Sequence, residues 1–221
     1  MRSIRAALGA AATVLAALAV ASPAVATETA PQPVVGVLSP AEEARVQQEP
    51  EKSEPVIADY KGKKINLAES WEGAQACTQV TGGAVYCFDS QQEADEALPS
   101  IDPVAAAENK KQAAQAGNRS EASATDIGDC NRVCLFEHSN YTGRMLQWYQ
   151  SGKKNLGDWG FRDKASSGCV RRATGGVLVY DARSFLPDPY MALGNPGCYD
   201  FTKVGYPTGG SWNDKADYIE M

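Results

Sequence analysis

The apolar positions of this chain fall into short runs separated by turn residues, with one exception at the start. From Ala6 to Val20 the sequence is almost wholly Ala, Val and Leu. Arg2 and Arg5 precede this run and Ala24-Val25-Ala26 follows it. That order predicts a secretory signal peptide over residues 1–26, cleaved before Thr27. The run is short for a bilayer span of about 20 residues, and no later segment is long and apolar enough to be one.

Beyond the leader the pattern changes three times. Residues 27–59 are rich in Pro, Glu, Gln and Ala and poor in aromatics, so they are expected to be disordered. Residues 60–100 read as a small module. Lys64-Ile65-Asn66-Leu67-Ala68 predicts a strand. Gln75–Val80 and Ala84–Phe88, joined by Thr81-Gly82-Gly83, predict a hairpin. Asp89 or Ser90 is placed to cap a helix ending at about Leu98, before Pro99. Residues 101–128 hold helix-favouring alanines without an apolar face, which predicts a part-helical linker.

From Asp129 to Met221 the runs become dense and short. Strands are predicted at Cys134–His138, Met145–Tyr149, Ser167–Arg172 and Val177–Tyr180. Turns fall at Ser139–Gly143 and Thr174–Gly176, and Lys153-Lys154-Asn155 reads as a polar loop. No helix-period segment competes, so the fold class expected here is an all-β antiparallel sandwich.

A repeat lies inside this region. Phe161-Arg162-Asp163-Lys164-Ala165-Ser166-Ser167 and Trp212-Asn213-Asp214-Lys215-Ala216-Asp217-Tyr218 share an aromatic, Asp-Lys-Ala and side-chain oxygens, 51 residues apart. Such a period marks a duplicated supersecondary unit.

Composition narrows the function. The net charge is −6, and the acidic excess sits before Asp129, with the remainder near neutral. No basic face is available for nucleic acid. Six cysteines in an exported chain predict disulfides. Spacing alone leaves many connectivities open. Pairing of neighbours, Cys77 with Cys87, Cys130 with Cys134 and Cys169 with Cys198, is the expectation. A single histidine and no Cys-x-x-Cys argue against a zinc site.

Phe136-x-x-x-x-Tyr141-x-Gly143 resembles the first-hairpin motif of a βγ-crystallin Greek key. Tyr180-x-x-x-x-Phe185-x-Pro187 stands at the matching place in the second half, with Pro187 where the motif has Gly. The resemblance implies two Greek-key motifs packed as a βγ-crystallin-like sandwich over residues 129–221. It also implies a calcium clamp shared between the motifs. Its ligands would come from Asp163, Ser166, Asn213, Asp214 and Asp217, and binding would be weak. Arg162 departs from the clamp pattern, as do Asp217 and Tyr218 where hydroxyls belong.

The leader, Cys130-x-x-x-Cys134, Asn155-Leu156-Gly157-Asp158 and the paired Asp-Lys-Ala loops are similar to bacterial secreted proteins of peptidase inhibitor family I36. That resemblance implies a secreted, non-enzymatic inhibitor whose partner is a metallopeptidase of the thermolysin type. The alternative is a calcium-binding or structural module of the cell exterior without inhibitory activity. An inhibitor needs a rigid exposed loop. Two segments are candidates by sequence: Gly168–Arg172, where Cys169-Val170 is either the inhibitory bond or part of the core strand expected there, and Leu193–Tyr199. An enzyme is disfavoured, because His138 adjoins Ser139, which is poor geometry for a nucleophile and its base on a strand. No stable membrane insertion is expected once the leader is removed.

Overall fold

A computed structural model of the chain describes residues 32–48, 54–116, 130, 132–184 and 187–221. Residues 1–26, expected as a leader, lie outside these, as do residues 27–31, 49–53, 117–129, 131, 185 and 186. The N-terminal part contains β1 (Val34–Val37), α1 (Pro40–Gln48), β2 (Ile57–Tyr60), β3 (Lys63–Asn66), β4 (Ala76–Gln79) and β5 (Val85–Phe88). Helices α2 (Gln91–Ile101) and α3 (Pro103–Ala116) follow. The remainder contains β6 (Val133–His138), β7 (Thr142–Trp148), β8 (Lys154–Asn155), β9 (Ser167–Val170) and β10 (Val177–Tyr180). It ends with β11 (Pro189–Leu193), β12 (Gly197–Asp200) and β13 (Tyr218–Glu220).

These strands form two sheets. One runs β12-β9-β6-β7-β4-β5-β2-β3, the other β1-β11-β10-β13-β8. Strand β8 belongs to the first half by sequence but pairs with β13, and β12 of the second half pairs with β9. Each half therefore lends its third strand to the other's sheet, which interlocks two Greek keys. The core between the sheets includes Leu135, Leu146, Trp148, Phe161, Val179, Met191, Phe201 and Trp212.

The folded first hairpin has the expected packing. Phe136 and Tyr141 meet edge-to-face at 5.9 Å. Gly143 has φ 79°, and a Cβ there would lie 2.7 Å from the His138 ring, so only glycine fits. Asn140 and Tyr141 also adopt left-handed backbone to make the turn.

Three expectations are corrected. The stretch 27–59 is not unstructured throughout. Val34–Val37 pairs with β11, and Ser39 and Glu42 cap α1 reciprocally. Leu38 is buried, with Val46 packed beside it, against Tyr180 and Tyr218. The 60–100 module is not a separate body: β4 runs parallel to β7 within one sheet. Trp71 Nε1 donates to the Trp159 carbonyl at 2.8 Å, and Gly160 at φ 62° packs directly on the Leu67 carbonyl. Lys154 lies in a strand and is buried, and that burial lowers its pKa.

The helices also differ in extent. α2 is capped by Ser90 as expected but continues through Pro99 to Ile101. Asp102 then joins the two helices. Its amide donates to Leu98, and its carboxylate accepts from the amides of Ala105 (3.0 Å) and Thr81 (2.7 Å). Ala105 and Ala106 of α3 pack on Leu98, so the expected linker carries a small core of its own.

Candidate functional site

The two Asp-Lys-Ala loops sit side by side and hydrogen-bond to each other. Asp163 N–H donates to Ala216 O (3.0 Å), and Asp214 N–H donates to Ala165 O (3.1 Å). Asp163 and Asp214 have φ 53° and 55°, which Asp tolerates better than most residues. Below them Phe161 and Trp212 are fully buried, as are Ala165 and Ala216. The reciprocity extends outward. Leu156 N–H donates to Asp217 O, and Phe201 N–H to Ser166 O. Ser166 N–H donates to Phe136 O, and Asp217 N–H to Tyr180 O.

The halves differ in the residue that ties down the neighbouring chain. In the first, Ser167 Oγ donates to His138 O (2.7 Å) and accepts from Tyr141 N–H (3.1 Å), which ties the folded hairpin down. In the second that work falls to Asp217, whose Oδ2 accepts from Ala182 N–H at 2.7 Å. Asp217 is only 4% exposed. Burial pushes its pKa up to about 6, opposed by the Ala182 amide and the Arg162 charge. Arg162 Nε lies 2.6 Å from Asp217 Oδ1.

The structure thus brings Asp163, Ser166, Asn213, Asp214 and Asp217 into one pair of loops but pairs most of their oxygens internally. Asp214 Oδ1 accepts from Ser166 Oγ (3.2 Å), and Oδ2 accepts from Asn213 Nδ2 (2.7 Å). Asp217 is taken by Ala182 and Arg162. A calcium shell needs roughly six to eight oxygens at about 2.3–2.6 Å. The residues as arranged do not fit that requirement, and the Arg162 guanidinium already supplies the cation.

The three cysteine pairs are Cys77–Cys87, Cys130–Cys134 and Cys169–Cys198. Cys169-Val170, a candidate inhibitory bond, is in the wrong place for one. Both residues have no exposed surface and lie in β9 between β6 and β12. Their alternation between core and outer sheet face explains their apolar character.

The second segment has the required form. Between β11 and β12 the chain turns through Gly194–Pro196, with Pro196 exposed. Asn195 clamps it: Oδ1 accepts from Arg172 N–H (3.0 Å) and Nδ2 donates to Arg172 O (2.7 Å). Tyr199 Oη donates to Gly194 O at 3.0 Å. The Cys169–Cys198 disulfide anchors the turn to β9. Beside it runs the β9–β10 loop, exposed from Ala173 to Gly176, with the Arg172 side chain donating to Gly176 O and Ser151 Oγ. Two exposed loops are therefore fixed to each other through side-chain and main-chain bonds.

Residues 121–193 match the model of peptidase inhibitor family I36. No curated protein and no solved structure matches the chain. The I36 segment covers β6 through β11 and so includes Arg172 and the 171–176 loop. It stops at Leu193, one residue before the clamped turn. Within it, Glu137 is engaged by Arg144 at two points, 2.9 and 2.7 Å, which lowers its pKa. His138 contributes its carbonyl to the Ser167 tie, and its ring packs beside Gly143.

Proposed function

We propose that this protein is an exported, non-enzymatic inhibitor of a metallopeptidase. Its inhibitory surface is the clamped turn Gly194–Gly197 with the adjoining 171–176 loop. The I36 match supports a peptidase inhibitor role, and the Asn195–Arg172 clamp supports this location. A loop ordered before binding avoids an immobilisation cost of about 0.5–1.5 kcal/mol per side chain. A disulfide at its base also keeps the ends in place after a cleavage. Three disulfides suit an oxidising compartment, which supports export.

Titration of the purified full chain against a thermolysin-like metallopeptidase tests the reading. A stoichiometric end point in residual activity is expected. Full activity at micromolar excess of the protein overturns it. The self-satisfied loops at Asp163 and Asp214 favour one other reading, a structural module with no peptidase target, and that reading predicts the flat titration.

A further inference from the structure

Next to the 171–176 loop the sandwich ends in a polar notch of about 190 Å³. Arg132 leads into β6 and Arg171-Arg172 leave β9. The antiparallel register sets Val133 against Val170, and Arg171 N–H donates to Arg132 O at 2.6 Å. The guanidinium-bearing residues Arg132 and Arg172 both line the notch, with Trp148, Tyr149, Ser151 and Thr174. No acidic side chain lines it. The Met221 carbonyl at its rim already accepts from Gly152 N–H.

The donors in the notch are incompletely used. Arg132 pairs with the half-exposed Glu108 of α3 and lies over the Tyr149 ring at 5.8 Å. Its Nε is buried and has no hydrogen-bond partner among the described residues. Trp148 is 1% exposed, and its Nε1 is equally without a partner. Arg172 is held below the usual arginine range by burial and by the charge of Arg132. Arg172 spends its terminal nitrogens on Gly176 O and Ser151 Oγ, and Glu108 meets one side of Arg132. What stays unsatisfied is Arg132 Nε, Trp148 Nε1 and the repulsion between the two cations. A bidentate oxyanion answers both needs at once.

We propose that Arg132 and Arg172 form a binding site for a single small oxyanion, a carboxylate. Its place beside the loop surface makes an acidic side chain of the bound peptidase the natural source, and this assignment of source rests on the proposed function. A free phosphate shares the chemistry and is separated by the test.

The melting temperature of the full chain is measured against rising acetate, phosphate and chloride at matched ionic strength. Acetate is expected to raise it with the logarithm of its concentration above the dissociation constant, by about 3 °C near tenfold excess. Arg172→Gln and Arg132→Gln are each expected to remove that rise while chloride has no specific effect. The same rise with phosphate at tenfold lower concentration than acetate would mark a phosphate site and overturn the carboxylate assignment. Equal responses to all three salts, or the same acetate response in Arg172→Gln, overturn the site itself. If Arg132→Gln fails to fold, Arg172→Gln decides alone. The melt reads this site whether or not the protein inhibits anything, so the two proposals fail separately.

Discussion

Arg162 and Asp217 form an ion contact of 2.6 Å across the two halves of the sandwich, joining the first Asp-Lys-Ala loop to the second. Asp217 is buried while Arg162 is half-exposed, so the pair does not fully offset the cost of burying the carboxylate. The folded pKa, about 6, lies above the unfolded value of about 3.9. A group shifted upward stabilises the fold when protonated. Its contribution is complete below about pH 4 and is lost as pH rises through about 6. Asp217→Asn keeps an acceptor for the Ala182 amide and removes the charge. It is expected to be more stable than the parent at pH 7.5 by about 1–2 kcal/mol. The advantage should vanish near pH 4, as read by paired urea titrations at both pH values.

The same contact governs calcium. With Asp217 and Asp214 both engaged internally, millimolar calcium and excess chelator are expected to give the same melting curve. A calcium-dependent rise that Asp214→Ala abolishes would show instead that the loops open to take the ion.

Much of this site was legible in the sequence because it is duplicated. A buried aromatic, an Asp in left-handed backbone and a buried Ala leave the same trace twice, at Phe161–Ala165 and Trp212–Ala216. The cysteine pairs were legible because each bridges neighbouring strands or a short local loop. The strand β1 was not. Four residues, Val34–Val37, carry too little signal alone, and their partner β11 lies more than 150 residues on. Cys169-Val170 stayed open between core strand and inhibitory bond because a central strand and an apolar loop look alike without knowledge of what covers them. The Asn195 clamp left only an Asn-Pro beside a cysteine, which names a turn but not what fastens it.

That clamp makes a direct prediction. Asn195→Ala removes two hydrogen bonds and exposes the Arg172 main chain to competition from water. A loss of about 1–2 kcal/mol in stability is expected. Inhibition, assayed on the folded variant at a temperature well below its melt, should weaken by about tenfold, the equivalent of about 1.4 kcal/mol. Unchanged inhibition would place the contact surface elsewhere.

The shared core of residues 54–88 with the sandwich can be tested at Gly160. Its φ of 62° and its contact with the Leu67 carbonyl leave no room for a side chain. Gly160→Ala should cost at least about 2 kcal/mol. It should lower a single cooperative melting transition by roughly 5 °C. Two separate transitions, with only one moved, would mean that the N-terminal strands melt independently.

Strand β4 is made before β7 yet sits beside it in parallel, and β1 pairs with a strand made near the end of the chain. Loops of that length must close before the contacts reward them, so refolding should be slow for a chain of this size. The earliest strands to be synthesised wait with open edges for the latest. The order of manufacture runs against the order of assembly.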